Sequence, residues 1–166
     1  MKKSIPLSIL MLAVVAGCSY LGLLTINPAD GFKLGQVKDA SGFQFGLNER
    51  GAIILNEVMT VALRNALTNQ GLIDANGRYT VDIDILDYSP GNVLSSLMGV
   101  RGAGAAAEPA HLSVEARIID RNGRQVAKIP VERRISADTL GAYKHIFDEA
   151  AQEVTTIIKD PARAKK

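Results

Sequence analysis

Few side chains in this sequence could do chemistry, and one of them stands alone. Cys18 is the single cysteine among 166 residues, and it closes the run Val15-Ala16-Gly17-Cys18. A thiol at that place can act as a nucleophile or accept a covalent group through sulfur. With no second cysteine it cannot form an intramolecular disulfide. Asp82, Asp84 and Asp87 form a dense run of carboxylates that suggests a cation site. Asp82 and Asp84 share one face of an alternating segment, whereas Asp87 has the opposite parity, and no glycine-turn calcium loop surrounds them. A solvated face is the expectation there. His145, Asp148 and Glu149 lie at i, i+3 and i+4, a spacing that can grip a metal, yet His111 is the only other histidine. A solvated helix face is again expected, and no metal.

Other arrangements lack parts. Gly99, Gly102 and Gly104 resemble a phosphate cradle only superficially, because a dinucleotide loop needs a strand before it and a helix after it. Here the glycines lead into a strand. Ser95-Ser96 is not flanked by the glycines of a nucleophile elbow. No enzyme activity and no cofactor are expected. Glu132-Arg133-Arg134 reads as a charge cluster that guards a sheet edge against aggregation, with a docking surface as the alternative.

The elements that would position these groups follow from periodicity. Asn27-Pro28-Ala29-Asp30-Gly31 is turn chemistry. Residues 32 to 37 suit a short strand with Phe32, Leu34 and Val37 inward. Residues 49 to 70 read as a helix: Leu55, Val58, Ala62 and Ala66 form its apolar stripe, widened by Ile54, Met59 and Leu63, and Gly71 is placed to cap it. Tyr79, Val81, Ile83 and Ile85 alternate with Thr80, Asp82 and Asp84, the mark of a half-buried strand. A second strand sets Leu112, Val114, Ala116 and Ile118 against His111, Ser113, Glu115 and Arg117. Asn122-Gly123 supplies a hairpin turn. The return strand runs from about Arg124 to Ile135, and Pro130, which has no N–H, assigns it to a sheet edge or a bulge. A last helix starts near Asp138, buries Tyr143, Ile146, Phe147, Ala150, Val154, Ile157 and Ile158, and stops at Pro161. The sum is an α/β (α+β) fold: a four-stranded mixed sheet in the order strand, helix, strand, strand, strand, helix. Both helices cover one face, and Asp82, Asp84, Glu115 and Arg117 line the other.

Before this domain stands an export segment. Lys2 and Lys3 form a positive n-region, and Ile5 to Ala16 an apolar core shorter than the roughly 20 residues a spanning helix needs. With Val15-Ala16-Gly17-Cys18 it resembles the bacterial lipoprotein signal, the lipobox. That resemblance implies cleavage between Gly17 and Cys18, a diacylglyceryl thioether on Cys18, and acylation of the freed amine. Two alternatives are an ordinary secretory signal cut after Ala16, and an uncleaved anchor extending from Ile5 to Ile26, since Tyr20 to Ile26 is also apolar. Two or more acyl chains would hold the chain firmly, at about 0.8 kcal/mol per buried CH₂. Ser19 is not the Asp that, in enterobacterial-type lipoproteins, directs retention at the inner membrane; the resemblance therefore implies the outer membrane, facing the periplasm.

Residues 1–17 are thus read as signal, 18–31 as lipidated Cys and tether, 32–160 as a single domain and 161–166 as a frayed tail. Cleavage removes Lys2 and Lys3 from a chain of formal charge +2, leaving about zero. That excludes a basic nucleic-acid binder. A hydrophobic content of 47% is enough for a core and too high for disorder.

From Tyr-Thr-Val-Asp-Ile-Asp-Ile-Leu-Asp-Tyr-Ser-Pro-Gly-Asn at residue 79, through the Gly-rich segment, Leu-Ser-Val-Glu-Ala-Arg-Ile-Ile-Asp and Asn-Gly, the chain resembles a family of uncharacterised bacterial lipoproteins. More distantly it is similar to the small α/β domain of the curli-secretion lipoprotein, of lipoprotein activators of penicillin-binding proteins, and of the amino-terminal part of the Tol translocation protein. The resemblance covers roughly residues 30 to 160 and rests on strands and turns, not on chemistry. It implies a protein that binds envelope proteins or assembles with itself. Residues 91 to 110, rich in Gly and Ala, carry Val93, Leu94, Leu97, Met98 and Val100, which are the candidate partner contact; a disordered connector is the alternative. The expected partners are the membrane, through the anchor, and an envelope protein or a second copy, with no nucleic acid. A binder of a small apolar ligand or lipid, in a pocket between sheet and helices, is the competing function.

Overall fold

The computed structural model describes residues 23, 26–39, 49–89, 109–136 and 142–161. Gly17 and Cys18, the candidate contacts from Val93 to Val100, the glycines at 99, 102 and 104, Asp138, and the side chains of Ile54 and Tyr143 lie outside that set. Strand β1 spans Phe32–Asp39, helix α1 Glu49–Asn69, strand β2 Tyr79–Ser89, β3 Ala110–Ile119 and β4 Gln125–Ile135, and helix α2 Ala142–Lys159. The strands lie in the order β1-β2-β3-β4. β1 runs parallel to β2, and the other two pairings are antiparallel. The fold is therefore α+β with a four-stranded mixed sheet, as the periodicity predicts. β4 is an edge strand, and this is where Pro130 can sit without removing a ladder hydrogen bond.

Both helices pack on one face of the sheet. Met59, Leu63 and Leu67 from α1, and Ile146, Phe147, Ala150 and Val154 from α2, meet Val81, Ile83, Ile85, Leu112, Val114, Ala116 and Ile129. Rings reinforce the two ends of this layer: Phe32 with Tyr79 at 5.6 Å between centroids, and Tyr88 with Phe147 at 5.3 Å. Helix α1 ends as its sequence requires. Gly71 takes a φ of 66°, Leu72 N–H donates to Leu67 O, and Gly71 N–H donates to Thr68 O. This is the paired 6→1 and 5→2 closure of a glycine-capped helix, with apolar Leu67 and Leu72 both buried beside it.

The core begins earlier than β1. Leu23 and Ile26, at 1% and 6% exposure, belong to the same apolar cluster as the sheet and helices. Leu23 and Ile26 are therefore packed into the domain, and the 3-10 turn Pro28–Asp30 is held by Asn27, whose side chain accepts from Ala29 N–H.

Three strands carry an extra residue, the third being Val126 of β4, where Ile118 pairs with Ala127 and Ile119 with Gln125. Between Leu34 and Val37 of β1 the partners advance only from Val81 to Ile83. Between Ile85 and Asp87 of β2 they advance from Val114 to Ser113. Each bulge flips the alternation by one residue. That is how Phe32, Leu34 and Val37 all turn to the core side despite their unequal spacing. It also corrects the parity of Asp87. Leu86 is the inserted residue and stands exposed, Tyr88 is buried, and Asp87 joins Asp82 and Asp84 on the open face.

Candidate interaction surface

The sheet face away from the helices is built from alternate residues of three strands. β2 contributes Asp82, Asp84 and Asp87; β3 contributes His111, Ser113, Glu115 and Arg117; β4 contributes Lys128, Glu132 and Arg134. Register decides which of them meet. Asp84 lies opposite Glu115 and Asp82 opposite Arg117, so the Arg117 guanidinium reaches Asp84 Oδ1 at 3.1 Å and Asp82 Oδ2 at 4.0 Å. Lys128 Nζ reaches Glu115 Oε2 at 2.6 Å. His111 lies between two carboxylates, with Nδ1 3.1 Å from Asp87 and Nε2 3.1 Å from Glu132. Arg134 closes the row on Glu132 at 2.8 Å. Hydrogen bonds from Arg134 and then His111 hold the Glu132 carboxyl below the ordinary carboxylate range.

Each of the five carboxylates has a basic side chain within 4.0 Å, against three permanent cations and His111. Surface pairs contribute only on the order of 0.5 kcal/mol each, so the layer adds little to stability. Asp82 also serves the neighbouring strand, because its Oδ1 accepts the Gln36 N–H at 2.9 Å, across the β1 bulge. The carboxylates at 82, 84 and 87 are thus occupied by an arginine, a histidine and a backbone amide, and the solvated-face reading of this run becomes a face of paired charges. His145, Asp148 and Glu149 line a shallow groove with Asn65 and Asn69 between the two helices. Among the described residues no group of three or more His, Cys, Asp or Glu side chains is placed to hold a metal ion.

The cluster Glu132-Arg133-Arg134 divides between the two faces. Glu132 and Arg134 join the open layer, whereas Arg133 turns to the helix side and pairs with Glu153 of α2. Sequence reasoning also missed the His111 bridge, because it depends on Asp87 being in phase. The signal was present: inward apolar residues at 79, 81, 83 and 85 resume at 88, a slip of one that only a bulge repairs.

A second cluster lies at the end of the sheet where β1 and β2 begin. Asp30 O accepts Arg78 N–H at 3.0 Å, and Gly31 O accepts Tyr79 N–H at 3.3 Å. Gly77 packs against the backbone there: a Cβ on it would stand 2.8 Å from Phe32 N and Gly31 C. The β3–β4 turn folds onto the same end, with Arg121 donating to Asn76 O at 3.0 Å. In that turn Asp120 Oδ1 accepts the N–H groups of Asn122 and Arg124 at 2.8 and 3.0 Å. The Arg124 amide, helped by its guanidinium, pulls the Asp120 carboxyl below its ordinary range.

No helix among the described residues is long and apolar enough to cross a membrane. No family model matches the chain, and no curated protein matches it. Several solved structures are similar. A minor lipoprotein from Acinetobacter baumannii is 17% identical, with 80% of this chain and 94% of that one covered, at a TM-score of 0.49. Two crystal forms of the PelC dodecamer from Paraburkholderia phytofirmans are 14% and 11% identical. They cover 76% and 78% of this chain, and 88% and 90% of theirs, at TM-scores of 0.45 and 0.47. One of these neighbours is a lipoprotein by name.

Proposed function

We propose that this chain is a lipid-anchored envelope protein, held in the outer membrane through Cys18, whose periplasmic α+β domain binds another envelope protein or a second copy of itself. One observation carries the reading. A lone cysteine closes a signal-like segment, and among the described residues the core reaches back to Leu23, five residues later. Such a layout suits a domain tethered by a modified residue at its own start. The open face suits binding, because its rows of paired charges offer a pattern that a complementary charged surface can match.

Binding of a small apolar ligand has less to rest on. The layer between sheet and helices is filled by Met59, Leu63, Leu67, Ile83, Ile85 and Ile146, none more than 1% exposed. A ligand there would have to displace packed side chains. Native mass spectrometry of the purified protein separates the two readings, since a co-purifying small molecule would favour the second.

The anchor is tested by metabolic labelling with palmitate. The wild-type chain should take up label and the Cys18→Ala variant should not. Label retained by the alanine variant would overturn the anchor.

A further inference from the structure

The geometry points to a membrane-docking surface at the end of the domain where β1 and β2 begin. We propose that Ile73, Arg78, Arg121 and Lys159 rest on the phosphates of anionic lipid headgroups, so that the domain stands end-on. The proposal rests on the anchor reading of Cys18.

Reach gives the first argument. Five residue steps separate Cys18 from Leu23, a span of at most about 17 Å when fully extended. Leu23 is fixed in the core, and the chain from Ile26 leads through the Pro28–Asp30 turn to the start of β1. The end of the sheet that meets the membrane is therefore the one bearing Gly31, Gly77 and the 120–124 turn. The opposite end, with Ser89, Ala110 and Ile135, is carried away by the length of β2, 11 residues at about 3.3 Å each.

Charge and polarity give the second argument. Ile73 is one of three large apolar side chains substantially exposed among the described residues, and it lies at this end beside Phe32. Arg121 donates only to the Asn76 carbonyl, and Lys159 to the Gln70 amide oxygen at 3.1 Å; neither has a carboxylate partner among the described residues. Arg78 is 62% exposed in its side chain and holds Asp30 loosely at 3.5 Å. Asp74, Asp120 and Asp160 also lie here, and Arg124 occupies Asp120. Lys33, Arg78, Arg121, Arg124 and Lys159 stand here against Asp30, Asp74, Asp120 and Asp160, and an exposed aliphatic among arginine and lysine side chains is a composition that an anionic interface attracts.

The test uses the full lipidated chain in vesicles. Because Cys18 is acylated, a thiol introduced by Asn122→Cys or Ser136→Cys can be labelled alone. Energy transfer is then measured to a dye on the lipid, in vesicles of phosphatidylglycerol with phosphatidylcholine and of phosphatidylcholine alone. Transfer from position 122 should exceed that from position 136 in the anionic vesicles, and should fall in the neutral ones or at high salt. Arg78→Glu with Arg121→Glu should lower the docked population by on the order of fivefold per arginine removed. Equal transfer from both positions, or transfer unmoved by the double variant, overturns the docking while leaving the anchor intact. A chain that does not float with the vesicles overturns the anchor and the docking together.

Discussion

Asp82 on β2 accepts the backbone N–H of Gln36 on β1 through Oδ1 at 2.9 Å. The side chain of one strand thereby satisfies the amide that the bulge of the neighbouring strand leaves outside the ladder. Gly35 lies against the same carboxylate, so close that a Cβ on it would stand 1.9 Å from Asp82 Oδ1 and 2.8 Å from the Val81 carbonyl. The bulge, the glycine and the aspartate form one unit, and that unit sets the phase of β1.

This unit predicts an order of severity. Asp82→Ala should cost about 1 kcal/mol, the net value of one hydrogen bond, and speed hydrogen exchange at the Gln36 amide. Gly35→Ala should cost more, about 1–3 kcal/mol, because one clash is with backbone that cannot rotate away. Denaturant melts of both variants check the ranking, and a Gly35→Ala protein as stable as wild type would refute the geometry.

Leu23 gives a second prediction. Its burial makes it part of the domain and not of a tether. Leu23→Ala should lower stability by about 2–4 kcal/mol, as a core truncation does. A residue in a free tether would change nothing. Chemical denaturation of the purified protein distinguishes the two.

Phe147 provides the core reference. It is 1% exposed, and its ring meets Tyr88 at 5.3 Å. Phe147→Ala should cost about 3–5 kcal/mol, and the midpoint of a urea melt should fall in proportion.

Acid should weaken the fold through two carboxyls. Asp120 and Glu132 both have folded-state values below their ordinary ones. Each therefore stabilises the protein above its unfolded value, near pH 4, and that contribution is lost as pH falls through the lower folded value. Melting temperature should hold from neutral pH to about pH 5 and then decline. Asp120→Asn should melt lower at pH 7 and show a shallower decline in acid. A decline as steep as that of wild type would remove Asp120 from the account.

Deleting residues 91 to 108 should reduce crosslinking of the native protein to envelope partners while leaving the melting temperature close to that of wild type. Unchanged capture would discard Val93, Leu94, Leu97, Met98 and Val100 as contacts.

Much of the fold was legible because its signals are local. Alternation of apolar residues set out β2 and β3, a 3.6-residue stripe set out α1, and Gly71 and Gly123 took the positive φ their places require. Pro130 placed β4 at an edge. The charged surface was less legible. The sequence supplied its membership, Asp82, Asp84, Glu115 and Arg117, but set Asp87 on the wrong side and treated residues 132 to 134 as one cluster.

By itself, then, the sequence determined the order of the elements and most residues of the core. Each of these follows from neighbours within a few positions along the chain. The tertiary structure decided the rest: that Leu23 and Ile26 belong to the core, that Asp87 and Glu132 share His111, and that Arg133 faces a helix. The charge pairings depend on strand register, and register is fixed by pairing between residues 6 to 47 positions apart. A shift of a single residue reverses every side chain beyond it, so no local pattern can decide which charges meet.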